Sequence, residues 1–313
     1  MFASFLAAFF FALNATCASH SVRTLGPARA NLGRLLVATA VLGTFAHLWG
    51  GGFSSASLPW FLLSGIIGMG MGDLGVYGAL PYLGSRLTVL MTQCLAAPLA
   101  ALGEWLWLGT RLTPVQIAWG LLILAGVALA ISPSRSSPPR VRIQPIGFLF
   151  GFVAACGQGF GALVSRKGVT VAEVAGEAAH NATFGLTAAY QRILAGLVFT
   201  AGWFLLMHLL GRLPPRPSMT GAVPPGPGGQ TAWRQRAFGW MVANGMAGPV
   251  LGVGCYQWAL ATTPSGIVLP IAATAPLLAI PIAFVLEGDR PTRRALVGGV
   301  LAVAGCIALT AGR

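Results

Sequence analysis

The sequence predicts an all-α integral membrane protein with ten transmembrane helices arranged as two inverted five-helix repeats. Three observations lead to this prediction: a composition poor in charge, ten apolar runs of membrane-spanning length, and a glycine pattern that occurs twice. Of the 313 residues, 56% are hydrophobic and 8% are charged, and the mean hydropathy is +0.77. Soluble domains carry about 25% charged residues. A deficit of this size along the whole chain indicates that the surrounding solvent is lipid.

The apolar runs have the length that a helix needs to cross a bilayer, about 20 residues. They lie near residues 1–19, 33–50, 58–80, 87–108, 114–132, 146–165, 190–211, 237–260, 266–286 and 294–312, and are called spans 1 to 10. None shows the period-two alternation of a barrel strand, so helices are predicted. A linker at 133–145 divides the chain into a first repeat, 1–132, and a second repeat, 146–313, which contains a Pro/Gly-rich loop at 211–236.

Spans 3 and 8 carry the same stripe of small residues. The stripe consists of Gly65, Gly68, Gly72, Gly75 and Ala79 in span 3 and, 180 residues later, of Gly245, Gly248, Gly252, Cys255 and Ala259 in span 8. Steps of three and four residues place each set on one helical face, where small residues let helices approach closely in lipid. Because five helices are an odd number, the second half enters the membrane in the opposite sense. Many transporters use such an inverted repeat, with the substrate site between the halves.

Short motifs in both halves resemble those of a known family. They are the glycine-rich spans 3 and 8, "GQGFGALVSRKG" (157–168) in span 6, and the segments "LGTRLTPVQ" (108–116) and "EGDRPTRR" (287–294) that precede spans 5 and 10. The chain resembles the EamA branch of the drug/metabolite transporter superfamily over essentially its whole length. One departure is that the acid after the glycine is Asp289 in the second repeat but Thr110 in the first. The resemblance implies a secondary transporter of small metabolites, often an exporter, without naming the substrate.

The sequence gives no support to several other functions. It contains no P-loop, no HExxH motif and no paired-aspartate motif, and its five cysteines lie far apart in apolar runs without a metal-ligand spacing. The net charge of +13 is interpreted as loop arginines that set topology rather than as a nucleic-acid surface. We therefore expect no cofactor, no metal and no nucleic-acid partner. Two alternatives to transport stay open: an intramembrane enzyme acting on a lipid-linked substrate, and a non-transporting membrane scaffold.

Asp73 is the most informative polar residue of the sequence. It lies beside the stripe in span 3, and the matching residue of span 8 is Val253, so the acid is not part of the duplicated pattern. A charge near the bilayer centre costs about 2.5–3.5 kcal/mol on insertion scales, and such residues are often functional. Tyr77, four residues later, shares its helical face. The hypothesis is that Asp73 carries a proton; the alternative is a vestibule position or a structural pair with an arginine.

Further candidates for the substrate and proton path lie in the other spans. Arg34 and Arg192 open the predicted spans 2 and 7 in matching contexts, "GRLLVATAVL" and "QRILAGLVFT", and either binds a carboxylate, counters Asp73 or anchors the topology. The neutral candidates are Asn14, Thr92, Gln93, Gln158, Asn244, Tyr256, Gln257 and Trp258. Such groups suit an amphipathic or zwitterionic solute, amino acids among them, better than a polyanion, although each also serves to bond helices together. Glu104, beside Trp105, is predicted to snorkel to the interface.

The orientation in the membrane is not decided by the sequence. Of the 19 Lys and Arg residues, 14 lie in loops on one face. By the positive-inside rule both termini are then outside, whereas the family resemblance implies that both are inside. We expect a monomer in a bacterial inner membrane whose partners are a small-molecule substrate, lipid and protons.

Overall fold

The computed structural model of the chain describes residues 1–132, 143–211, 230–287 and 292–311. Within these ranges the chain forms ten successive helical spans, as predicted. They are span 1 Phe2–Leu25, span 2 Pro27–Leu48, span 3 Leu58–Gly84, span 4 Leu87–Leu108, span 5 Pro114–Ile131, span 6 Pro145–Val174, span 7 Ala182–Leu209, span 8 at 230–262, span 9 at 265–287 and span 10 Arg293–Ala311. In this described part, all spans except 8 and 9 are each long and apolar enough to cross a membrane.

Two turns in the chain path fall at residues that favour them. The last part of span 3 and the whole of span 4 lie in one helix, Gly72–Leu108, which kinks at Gly84 with φ 71° and ψ 170°. This positive φ is a conformation that glycine adopts without steric cost. Span 9 consists of two helices, Ser265–Ala272 and Ala275–Glu287. The break comes just before Pro276, which lies in the first turn of the second helix, where its missing N–H is tolerated.

Spans 3 and 8 each contain a π-helical segment at the same position within the duplicated stripe. The segments are Ile66–Met71 and Met246–Val253, and their first residues are 180 positions apart. π-helical segments are rare and occur frequently at functional sites. The duplication therefore extends from the small residues to an irregularity of the backbone, which the sequence analysis did not predict.

The stripe of span 3 packs against spans 6 and 7. A Cβ atom added to Gly157 in span 6 would lie 2.5 Å from the Cα atom of Gly72, and one added to Gly75 would lie 2.6 Å from the backbone nitrogen of Ala154. A Cβ atom on Gly65 would lie 2.1 Å from the backbone oxygen of Arg192 in span 7. These backbones touch directly, which is the use of small residues that the stripe predicts.

The stripe of span 8 packs in the matching way against spans 1 and 2. A Cβ atom on Gly248 would lie 2.4 Å from Oδ1 of Asn14, and one on Gly252 would lie 2.7 Å from the ring of Phe11. A Cβ atom on Gly245 would lie 2.9 Å from Val37 in span 2. The packing of span 3 on spans 6 and 7 therefore corresponds to the packing of span 8 on spans 1 and 2. Exchanging the two repeats converts one arrangement into the other.

Spans 5 and 10 pack on each other, and this contact maps onto itself when the repeats are exchanged. A Cβ atom on Gly126 would lie 2.6 Å from the backbone oxygen of Gly298, and one on Gly305 would lie 3.3 Å from that of Trp119. Gly126 matches Gly305, and Trp119 matches Gly298, both at the offset of 179 residues. The prediction of two inverted five-helix repeats is confirmed.

Three spans begin earlier than the hydropathy predicted. Span 2 begins at Pro27, span 7 at Ala182 and span 8 at Gln230. The first residues of these three helices are polar enough to end an apolar run in the sequence. They contain no cluster of prolines or glycines that would prevent a helix from forming beyond its first residue. The predicted Pro/Gly-rich loop therefore gives way to helix for its last residues, 230–236. Its residues 212–229, and 133–142 of the predicted linker, lie outside the described residues.

Candidate functional site

Asp73 forms an ion pair with Arg34 between spans 3 and 2. The Arg34 guanidinium donates to Oδ2 of Asp73 over 3.1 Å, and its Nε donates to Oδ1 of Asn31 over 2.7 Å. The two side chains are 17% and 25% exposed, so the pair is only partly buried. Asp73 comes two residues after the π-helical segment Ile66–Met71. The structure therefore contains the pair with an arginine that is one of the alternatives stated for Asp73.

Arg192 lies inside span 7 and is only 3% exposed. Its Nη1 donates to Oγ of Ser165 over 3.2 Å and approaches the backbone oxygen of Gly161 at 3.5 Å, both in span 6. Its guanidinium carbon lies 5.9 Å from the ring centroid of Tyr256 in span 8, in cation–π range. The prediction that Arg34 and Arg192 open their spans is wrong, because both helices begin earlier.

Further hydrogen bonds join Arg192 to spans 3 and 8. The hydroxyl of Ser64 in span 3 donates to the backbone oxygen of Gly161 over 2.6 Å. The same hydroxyl lies 2.8 Å from the hydroxyl of Ser165. The amide nitrogen of Gln257 donates to the same Ser165 oxygen over 3.0 Å. We call these five side chains, which come from both repeats, the Arg192 cluster; they are Ser64, Ser165, Arg192, Tyr256 and Gln257.

The Arg192 cluster contains three buried polar atoms that lack a partner within the described part of the chain. They are Nε of Arg192, the hydroxyl of Tyr256 and Oε1 of Gln257. An unsatisfied buried polar group costs about 1–3 kcal/mol, and native proteins keep such groups few. Three such atoms lie in this one cluster, on and beside a buried arginine.

Arg34 and Arg192 occupy equivalent positions in the two repeats. The backbone oxygen of Arg192 faces Gly65, the first glycine of the span 3 stripe, and that of Arg34 faces Gly245, the first glycine of the span 8 stripe. Only Arg34 has an acid beside it; in the described chain no carboxylate oxygen lies within 4.0 Å of Arg192. The backbones of the two arginines therefore make equivalent contacts, whereas only Arg34 has a carboxylate in direct contact.

Glu104 is buried in an ion pair rather than snorkelling, so that prediction is wrong. It is 2% exposed, accepts from Nε of Arg166 over 3.0 Å and from the backbone nitrogen of Ser265 over 2.7 Å, and also accepts from the Ser265 hydroxyl. Arg166 also donates to the backbone oxygen of Leu260 over 2.6 Å. These bonds join span 4 of the first repeat to spans 6, 8 and 9 of the second. The donors that hold the acid inside come from distant parts of the chain, which hydropathy does not detect.

More bonds between the repeats lie in the turns on the same side of the molecule. We call this side, which carries the turns at 49–57, 109–113, 175–181 and 263–264, the terminus face, and the opposite side the linker face. Glu177 accepts from the hydroxyl of Ser55 and from the backbone nitrogen of Ala56, each over 2.7 Å. Gln191 donates to the backbone oxygen of Gly52 over 2.8 Å. No sequence motif marks these residues, so they were not predicted.

The comparison with family models decides the family. The model of the EamA-like transporter family matches residues 1–132 and 145–311, nearly the whole chain. The chain belongs to the EamA-like transporter family. It is therefore assigned to the drug/metabolite transporter superfamily of membrane proteins, as the resemblance implied.

A solved structure has the same fold as this EamA-like protein. It is described only as "Crystal structure of protein", is 21% identical, and matches with a TM-score of 0.71 over 99% of this chain and 96% of its own. No match was found among curated proteins. The fold and the family are thereby shown, and neither names a solute.

The remaining predicted residues of this EamA-like transporter lie in different surroundings. Thr92 donates to the backbone oxygen of Thr88 within its own span 4, whereas Trp258 of span 8 packs on Gly185 of span 7. Asn244 is 2% exposed, and its Oδ1, like that of Asn14, has no partner in the described chain. The two remaining glutamines are half-buried: Gln93 and Gln158. The side chain of Tyr77 lies outside the described residues. Among described side chains, no three His, Cys, Asp or Glu residues cluster to hold a metal ion.

Proposed function

We propose that this protein is a secondary active transporter that moves a small amphipathic or zwitterionic metabolite, such as an amino acid, across a bacterial inner membrane. It works as a monomer by alternating access, and protons drive it through Asp73. The observation that carries the proposal is the Arg192 cluster, whose buried, incompletely bonded side chains come from both inverted repeats. A charged group is expensive inside a membrane protein and is typical of substrate and ion pathways.

The inverted repeats supply a route to alternating access. In such proteins one repeat moves against the other around a site near the middle of the membrane. The bonds of Glu104 and Glu177 to the opposite repeat hold the two repeats together on the terminus face. Opening this face requires those bonds to break, and symmetry supplies a matching closure on the linker face.

The Arg34–Asp73 pair is the proposed coupling element. Protonation of Asp73 removes its negative charge and weakens the pair, which frees span 2 and span 3 to move relative to each other. Because the pair is only partly buried, a proton does not have to cross the core of the helix bundle to reach it. The two intramembrane acids, Asp73 and Glu104, pair with different arginines in different spans. This arrangement does not supply the adjacent acid and base that the intramembrane-enzyme alternative needs.

Solute counterflow into proteoliposomes tests the proposal. Purified protein is reconstituted, and labelled amino acids, nucleosides, quaternary amines and sugars are offered with and without a pH gradient, with protein-free liposomes as the control. We expect counterflow of zwitterionic solutes that a pH gradient accelerates. Absence of flux for every class would contradict transport and favour the membrane scaffold.

A further inference from the structure

We propose that a groove between spans 4, 5 and 9 binds one anionic phospholipid, with the phosphate on Arg111 and an acyl chain in the groove. The cavity has a volume of about 610 Å³, within the range of about 300–1,000 Å³ that is typical of ligand sites. We call it the Arg111 groove; the residues that form its floor and rim include Ala97, Leu102, Gly120, Leu121, Leu124 and Pro270. Spans 4 and 5 belong to the first repeat and span 9 to the second, so an occupant contacts both repeats. Lipid binding here does not depend on whether the protein moves a solute.

The Arg111 groove opens sideways, towards the lipid. Its floor consists of buried residues, among them Gly120, Leu124 and Pro270. Its rim consists of Leu102 of span 4 and Leu121 of span 5, which are 51% and 58% exposed. In a membrane these rim side chains face acyl chains. A lipid therefore reaches the groove without any separation of the helices.

The shape of the groove fits an acyl chain. It stays open because Gly120 lies on its floor: a Cβ atom there would meet only Cγ of Pro270, at 3.7 Å. Gln116 and Leu124 both line the groove, and span 5 rises about 12 Å between them. The hydrocarbon layer of one leaflet is about 15 Å thick, half of the ~30 Å core. The groove thus follows a membrane-spanning helix over most of one leaflet.

The charge of the groove lies at one end. Arg111, in the turn at 109–113, is the only charged residue that lines it. Arginine stays charged in proteins, and no carboxylate oxygen of the described residues lies within 4.0 Å of this one. In the second repeat the matching Arg290 follows Asp289, whereas Arg111 follows Thr110. Arginine suits phosphate because its guanidinium donates two parallel hydrogen bonds.

Tryptophans place this charged end at the membrane–water interface. Trp105 lines the groove, and Trp107 packs on Trp60 of span 3 with 5.9 Å between ring centroids. Nζ of Lys167 lies 6.0 Å from the centroid of the Trp60 ring. Tryptophan and basic residues at one level are typical of the headgroup region. A phosphate at Arg111 is then continuous with a chain along span 5, whereas a free phosphate would leave the apolar groove empty.

A second groove, between spans 9 and 10, provides an internal comparison. Its volume is similar, about 660 Å³, and its lining is apolar, with Gly299 and Val300 among its residues. No charged residue and no tryptophan of the described chain lines it. An acyl chain in this groove has no partner for its phosphate, so we expect it to show no preference for an anionic headgroup.

Lipid titration followed by native mass spectrometry tests the proposal. Delipidated protein in detergent is titrated with phosphatidylglycerol, with phosphatidylcholine of the same acyl chains, and with glycerol phosphate, which has no chain. The test variants are Arg111→Gln and Gly120→Leu, which fills the groove.

Two variants serve as matched controls. Arg294→Gln removes an exposed arginine that lines neither groove. Gly299→Leu fills the second groove, where a Cβ atom would meet nothing within 4 Å. The melting temperature in detergent shows that each variant is folded.

We expect wild type to bind phosphatidylglycerol about fivefold more tightly than phosphatidylcholine, the effect of one basic residue beside an anionic lipid. Glycerol phosphate should not bind. Arg111→Gln should remove the preference and leave phosphatidylcholine binding unchanged. Gly120→Leu should lose the tight phosphatidylglycerol site because the chain has no room, and both controls should behave as wild type.

Five results would overturn the proposal. Equal affinity of wild type for the two lipids, or a preference that survives Arg111→Gln, would exclude Arg111 as the headgroup site. An equal loss in Arg294→Gln would show a general effect of surface charge. Loss in Gly299→Leu instead of Gly120→Leu would assign the lipid to the second groove. Dimers of wild type that Gly120→Leu dissociates would show that a second copy of the chain, not a lipid, covers the groove.

Discussion

Arg34 and Arg192 differ in chemistry although they are equivalent in position. Each places its backbone oxygen against the first glycine of a stripe, but Asp73 accompanies only Arg34, because the matching residue of span 8 is Val253. One arginine thus forms an ion pair with Asp73, whereas no carboxylate oxygen of the described chain lies within 4.0 Å of the other. The matching contexts of the two arginines can be found in the sequence. Their partners come from other helices and can be found only in the structure.

Replacing Asp73 by Asn tests the coupling role at this scale. We expect Asp73→Asn to abolish pH-gradient-driven flux, because an amide cannot exchange a proton at this position. The fold should persist, since Arg34 keeps its bond to Asn31. Flux in proteoliposomes and elution on size-exclusion chromatography are the measurements, with Asp73→Glu as the control that keeps the titratable group. Gradient-driven flux at the wild-type rate in Asp73→Asn would remove Asp73 from the mechanism.

At the scale of the helices, the glycine stripes were predictable and the π-helical segments were not. A stripe follows from residue spacing alone, since positions three and four apart share a face. A π-helical turn changes the backbone hydrogen bonding without a distinct residue pattern, and the tight contacts around it involve other spans, including Gly161 against Gly68. The early start of span 7 was missed for a related reason: polar residues within a helix look like a loop when they are buried against other helices.

Gly157 provides a test of the close contact between spans 3 and 6. A Cβ atom there would lie 2.5 Å from the Cα atom of Gly72, so Gly157→Ala forces two backbones apart. We expect a loss of about 1–3 kcal/mol of stability, the usual cost of overpacking. Gly202→Ala is the matched control, because a Cβ atom there meets nothing within 4 Å, and it should be neutral or stabilising by up to ~1 kcal/mol. Thermal unfolding in detergent compares them, and equal melting temperatures would contradict the contact.

At the scale of the molecule, the buried Glu104 and the partly buried Glu177 join the two repeats on the terminus face. Glu104 binds Arg166 and Ser265, and Glu177 binds the turn that contains Ser55. The ten-helix inverted architecture was predictable because composition and repetition are properties of the whole chain. The pairing of Glu104 was not predictable, because an isolated acid near a tryptophan has the same local sequence whether it snorkels or pairs.

Glu104→Gln should open the terminus face. The amide leaves Arg166 without a charged partner and weakens the closed conformer by about 1.5–3 kcal/mol, the contribution of a hydrogen bond to a charged group. That corresponds to a shift of roughly 10- to 150-fold toward the open state. We expect a cysteine placed at the Gly51 position, in a background without the native cysteines, to react faster with a water-soluble maleimide. The control is Glu173→Gln, which alters only an exposed pair with His180. Identical reaction rates in all three proteins would argue against Glu104 as part of the closure.

The most direct test of alternating access is a pair of distances measured on the two faces by double electron–electron resonance. Spin labels at Gly51 and Ala178 report the terminus face, and labels at Arg29 and Gln235 report the linker face; all four positions are exposed. The account predicts that conditions which drive transport lengthen the terminus-face distance and shorten the linker-face distance in the same fraction of molecules. Distances that stay unchanged on both faces while the labelled protein transports its solute would contradict it.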